Sequence, residues 1–213
     1  MSEKNSNNSH TLIPFIGICL FIVLYVVATF LYPGGSEIDR RAREFSWMHN
    51  YWCDLLDTYA ENGEQNTARP VAIIAMSVLC LSIAIFWYFV PGLFTFKPYN
   101  KKIIQYTGMM SMGIIVFLQS DYHDTVINIA GILGVIAITG TLIGLYKIHL
   151  YKLLALGLLC LLLCFLNNYI YYTKNWLWYL PIIQKISFVV FLLWFCLLTF
   201  QLFKKAGSTD NLS

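Results

Sequence analysis

The sequence predicts an all-α membrane protein: a polytopic bundle of six transmembrane helices, with an amphipathic interfacial helix in the first outer loop. Three observations carry this reading. Of 213 residues, 58% are hydrophobic and only 12% are charged. That is about half the charged share of a soluble domain, and a soluble core could not hide so much Leu, Ile, Phe and Val. The apolar residues fall in six runs near the roughly 20 residues that a helix needs to cross a hydrocarbon core of about 30 Å. Each run is apolar all round rather than along one stripe, as a lipid-surrounded helix is.

The first run, 11–32, stops at Pro33-Gly34-Gly35. It exceeds a signal-peptide core and lacks a small-x-small cleavage site, so a retained span is expected. The second, 70–90, has Pro70 in its first turn and Pro91 behind its end, both in positions where proline is tolerated or terminates a helix. The remaining runs are 103–119, 125–146, 151–170 and 180–203, leaving tails at 1–10 and 204–213 and one long loop at 33–69.

An even number of spans puts both termini on one side, with Lys4, Lys97, Lys101, Lys102, Lys147, Lys152, Lys204 and Lys205. The other side carries Arg40, Arg41, Arg43, Arg69, Lys174 and Lys185. The excess of basic residues in the short turns predicts cytoplasmic termini in a cell membrane. Tyr169, Tyr171, Tyr172, Trp176, Trp178 and Tyr179 then form an aromatic belt at the outer interface.

The net charge of +3 and the absence of basic runs interleaved with aromatics exclude nucleic acid as a partner. Membrane lipids are the expected partners. Five of the six cysteines lie in apolar runs, where Cys acts as a small hydrophobe, so no disulfide framework is expected. In the fourth span, Ala130, Gly134, Ala137, Thr141 and Gly144 recur at spacings of four and three. Such a stripe lets backbones approach closely, either inside the bundle or in a homo-oligomer.

Candidate chemistry collects on the outer face. In the long loop, Phe45, Met48, Trp52, Leu55 and Tyr59 recur at helical spacing and predict an amphipathic helix over about 39–59. Its polar side carries Ser46, His49, Asn50, Cys53 and Asp57, either as a wet face or as a lid over a pocket. The turn Ser120-Asp121-Tyr122-His123-Asp124 offers two carboxylates and an imidazole. These suit a helix cap, or, with His49, a catalytic or metal site built from His49, Asp121, His123 and Asp124. Asn167 and Asn168 in the fifth span and Gln184 and Lys185 in the sixth add polar groups near the outer ends. Lys185 is expected either to snorkel or to pair with Asp121 or Asp124. His49 and Cys53, four apart, make a weaker nucleophile pair, because such pairs usually come from separate elements. The expected ligand-binding set is Ser46, His49, Asn50, Asn167 and Lys185.

The stretch Tyr32-Pro33-Gly34-Gly35-Ser36, Phe45-Ser46-Trp47, Asn50-Tyr51-Trp52-Cys53-Asp54-Leu55-Leu56 and Ala68-Arg69-Pro70 resembles bacterial six-span membrane proteins of unknown function of the Bacteroidetes type. The layout is more distantly similar to the DRAM and post-GPI-attachment-factor group, whose loop motifs are not matched. Both resemblances imply a six-span bundle with an early outer loop, and neither implies a reaction or a cofactor. The expected function is therefore binding of a lipid or small amphiphile at an outward-facing polar pocket, or a membrane-organising or sensing role. The alternative is a membrane-embedded hydrolase, with or without a metal, acting on a lipid or lipid-linked substrate. A small-solute transporter comes third, since coupled transport usually needs ionisable groups near the midplane.

Overall fold

A computed structural model describes residues 8–119 and 123–210. Six α-helices form its body: α1 Ile13–Leu31, α2 Arg69–Phe89, α3 Pro98–Ile115, α4 His123–Lys147, α5 Tyr151–Thr173 and α6 Leu180–Asp210. Prolines sit in the first turns of α1, α2 and α3, where the missing N–H has no intrahelical acceptor to lose. A left-handed His149 (φ 58°) lies between α4 and α5, and a left-handed Lys174 (φ 59°) caps α5.

Among the described residues, five segments are long and apolar enough to cross a membrane: His10–Leu31, Arg69–Leu93, Thr125–Lys147, Tyr151–Thr173 and Leu177–Gly207. Their outward residues, among them Ile16, Phe30, Leu81, Leu162 and Val189, are well exposed, which is the surface a bilayer covers. This is a membrane protein. The run expected at 103–119 folds differently from the other five. It starts earlier, at Pro98, carries Lys101, Lys102 and Gln105 in its first half, and passes into a 3₁₀ turn at Val116–Gln119.

Consecutive helices pack side by side, and α6 returns to α1 and α2. Helix α2 packs against α1, α3 and α6, and α4 packs against α3 and α5. Backbones come close where side chains are small. A Cβ on Gly17 would lie 1.8 Å from Ser82 Oγ, and one on Gly108 would lie 2.3 Å from the Trp87 ring. The stripe on α4 serves the same end. Ser111 donates to the Ala130 carbonyl at 2.8 Å, Ile104 fills the space over Gly140, and Phe94 lies on Gly144. Ala130, Ala137, Thr141 and Gly144 are buried, so the stripe is occupied by neighbouring parts of the same chain.

The amphipathic helix expected over 39–59 is not formed. Residues 32–68 make a compact cap of turns with a single short 3₁₀ segment, Cys53–Leu56. The apolar positions that suggested one helical face diverge: Phe45 and Leu55 are buried, while Met48 and Tyr59 are exposed. Turn chemistry outweighs the periodicity. Gly34 (φ 124°) and Gly35 (φ 85°) take backbone conformations that only glycine adopts cheaply. At both, a Cβ would strike backbone 2.3 Å away. Side chains of Asn50, Asn62 and Asn66 then bond the loop's own backbone, competing with helix in the way Asn does.

Candidate functional site

The polar residues of the cap converge on Asn50, which is fully buried. Its side-chain oxygen accepts the Ser46 N–H at 2.8 Å. Its amide donates to the Gly35 carbonyl at 2.9 Å and to Asp54 Oδ2 at 2.8 Å. Tyr51 N–H also donates to Asp54 Oδ2, at 2.9 Å. One asparagine thus fixes three separate parts of the cap. Burial pushes the Asp54 carboxyl up to about 6, against the lowering effect of these two donors. Asp57 and Glu61 nearby add to the rise.

Helices α1 and α6 hold this knot from below. Lys185 of α6 donates to the Asn50 carbonyl and, at 3.2 Å, to the Pro181 carbonyl of its own helix. Its ammonium lies 5.5 Å from the Trp52 ring centroid and 5.7 Å from that of Phe45, a cation–π arrangement. Gln184 accepts the Trp52 N–H at 3.1 Å, and Tyr25 of α1 donates to the Trp52 carbonyl at 2.9 Å. On the α2 side, Asn66 accepts the Ala68 N–H and Arg69 Nε donates to the Leu56 carbonyl at 3.0 Å. The indole N–H of Trp52 is buried with no acceptor among the described residues.

Of the expected ligand set, Ser46, His49, Asn50 and Lys185 come together, but not around an open pocket. Asn50 and Lys185 are spent on internal bonds. Ser46 Oγ and His49 Nδ1 pair at 3.1 Å, at a corner where His49 meets the Trp178 ring edge-on, 6.0 Å between centroids. Asn167 is elsewhere, between α5 and α6. Its amide donates to the Leu163 carbonyl and to Ser187 Oγ at 2.7 Å, and its oxygen is buried and unpartnered.

Asp121 lies outside the described residues, and so do the side chains of His123 and Asp124, whose backbone opens α4. A joint site with His49, and the expected pairing of Lys185 with Asp121 or Asp124, fall there too. Among the described residues no three His, Cys, Asp or Glu side chains form a metal-binding group. The His49–Cys53 pair does not form: His49 Nδ1 faces Ser46, and the Cys53 thiol faces Gln184 Nε2 at 3.9 Å. Burial pushes that thiol up to about 11, which removes the thiolate that nucleophilic chemistry needs.

The sequence reading missed the roles of Asp54, Trp52 and Tyr25. A signal for the first was present in the spacing of Asn50 and Asp54, but a helical reading gives it a different meaning. Nothing in the local sequence points from Trp52 to Tyr25, 27 residues earlier. No family model matches this chain, and no curated protein or solved structure matches it.

Proposed function

We propose that this is a six-span protein of a bacterial inner membrane with both termini in the cytoplasm, whose outer end binds a lipid or small amphiphile, in a membrane-organising or sensing role. In this reading α3 is the sixth span, and the cap faces away from the cytoplasm. The observation that carries it is the contact of the cap with the α5–α6 turn, where His49 sits against Trp178. Trp47 and Met48 beside His49 in the chain, and Trp176 and Tyr179 beside Trp178, are exposed, as is Trp178 itself. Aromatic rings with polar edges suit the headgroup level of a bilayer, and the imidazole supplies a hydrogen bond to a headgroup.

Native mass spectrometry of the detergent-purified protein tests the proposal. Co-purifying lipid is expected, and its amount should fall in the double variant His49→Ala/Trp178→Ala. Loss of lipid nowhere, or none bound to the native chain, would reject it. Reaction of Glu64→Cys with a membrane-impermeant thiol reagent in intact cells checks the orientation. The hydrolase alternative predicts stoichiometric metal in the purified protein that is lost in both His49→Ala and His123→Ala.

A further inference from the structure

We infer that an anionic phospholipid seats on the flank of α2 at the cap end, with its phosphate on Arg69 and one acyl chain in the crevice between α2 and the last turn of α3. This rests on the membrane reading above but uses a different surface from the His49 corner. The crevice is lined by Leu56 of the cap, Ile73, Met76, Ser77 and Cys80 of α2, and Ile115 and Val116, where α3 gives way to a 3₁₀ turn. It is a shallow groove open to its surroundings, with about 20 Å³ of enclosed space, so a chain lies along it rather than inside it.

Three features fix the occupant. First, the lining is apolar apart from Ser77, whose hydroxyl is already bonded to the Ile73 carbonyl at 2.8 Å. The crevice therefore asks for hydrocarbon rather than a polar ligand. Second, it lies on a segment, Arg69–Leu93, that is long and apolar enough to cross a membrane, so acyl chains are the apolar material beside it. Ile73 to Cys80 spans about 10 Å of helix, long enough for an extended stretch of chain. Third, the charge is at the right end. Arg69 precedes Ile73 by four residues and so stands on the same face of α2, one turn nearer the cap. Its Nε is fixed by the carbonyl of Leu56, itself a crevice residue. That bond orients the guanidinium while using one of its five N–H donors, and the others suit the bidentate recognition of phosphate.

The test uses the full chain in nanodiscs holding equal phosphatidylglycerol and phosphatidylcholine, followed by native mass spectrometry of the lipid retained. The native protein should keep phosphatidylglycerol preferentially. Arg69→Gln should cut that preference about tenfold, because the guanidinium meets a net anion in phosphatidylglycerol but a phosphate already neutralised by choline in phosphatidylcholine, and Arg69→Lys should restore part of it. Ser77→Phe, at an exposed position, should fill the crevice and lower retention of both lipids while leaving unfolding unchanged. An unchanged preference in Arg69→Gln overturns the phosphate seat, and unchanged retention in Ser77→Phe overturns the acyl seat. His49→Ala/Trp178→Ala should leave this preference intact, so failure at that corner and failure here are distinguishable.

Discussion

Helix α6 ends in a lysine clamp at both extremities, and the two clamps differ in kind. At the cap end Lys185 reaches the Asn50 carbonyl, half-buried under the Phe45 and Trp52 rings. At the opposite end Lys205 donates to the carbonyls of Gly92 at 2.9 Å and Leu93 at 3.1 Å, from an exposed position. Each lysine ties α6 to the segment that follows an earlier helix. The difference lies in what water can replace. Removing Lys205 leaves one of its two carbonyls on the exposed Gly92, within reach of solvent, and the other on the buried Leu93, whereas Asn50 is fully buried, and a carbonyl there that loses its donor keeps the full cost of desolvation. The cap end is thus a folded polar unit, and the opposite end is a set of short turns with a reinforcing contact.

Substitutions should separate the two ends in order of size. Asn50→Leu removes the acceptor of the Ser46 N–H and the donor to Gly35 and Asp54. It should cost about 3 kcal/mol or more, read as a lower midpoint in denaturant titration of the detergent-solubilised protein and as new proteolytic nicking between residues 32 and 68. An unchanged midpoint would mean that the cap adds nothing to stability.

Lys185→Met should cost about 2 to 3 kcal/mol, because a charged donor is lost from a buried carbonyl.

Asp54 gives the cap end a pH signature. Its folded value near 6 lies above the ordinary 3.8, so between those values the folded cap holds a proton that the unfolded chain has released. The contribution of this group to stability therefore declines as pH rises from about 4 to about 6 and stays low above that. Asp54→Asn should flatten that dependence and stabilise the protein at pH 7, by an amount on the order of 2 kcal/mol. A wild-type midpoint that is constant across that range would contradict this. Lys185, Asp57 and Glu61 are the charged neighbours whose own substitutions would shift the window.

Lys205→Met should have the smallest effect, under about 1 kcal/mol, as exposed charged contacts generally do. A cost equal to that of Lys185→Met would erase the distinction between the ends.

What could be read from the chain follows the same division. The five apolar segments were legible because lipid-facing helices need hydrocarbon on every side, and composition alone records that. α3 was harder, since Lys101 and Lys102 sit inside the helix just before the apolar run begins, and Gln105 lies within the run. The cap was misread. Five apolar residues at helical spacing outweighed Gly34, Gly35, Asn62 and Gly63 as signals, yet three left-handed glycines and three loop-bonding asparagines decided the backbone. Ser46, His49, Asn50 and Lys185, expected with Asn167 as one ligand-binding set, meet in the cap, whereas Asn167 lies between α5 and α6. Their orientation was not legible, because a contact such as Lys185 to Asn50 joins residues 135 apart, and no local pattern encodes it.

That separation has a consequence in time. The cap lies between the first and second helices, yet the Asn50 carbonyl and the Trp52 N–H find their partners only on Lys185 and Gln184 of the last. During synthesis this loop therefore emerges well before its partners, and it waits with open bonding positions until the more than 130 residues that separate it from Gln184 and Lys185 have been made. A chain truncated before α6 would leave that loop unfinished.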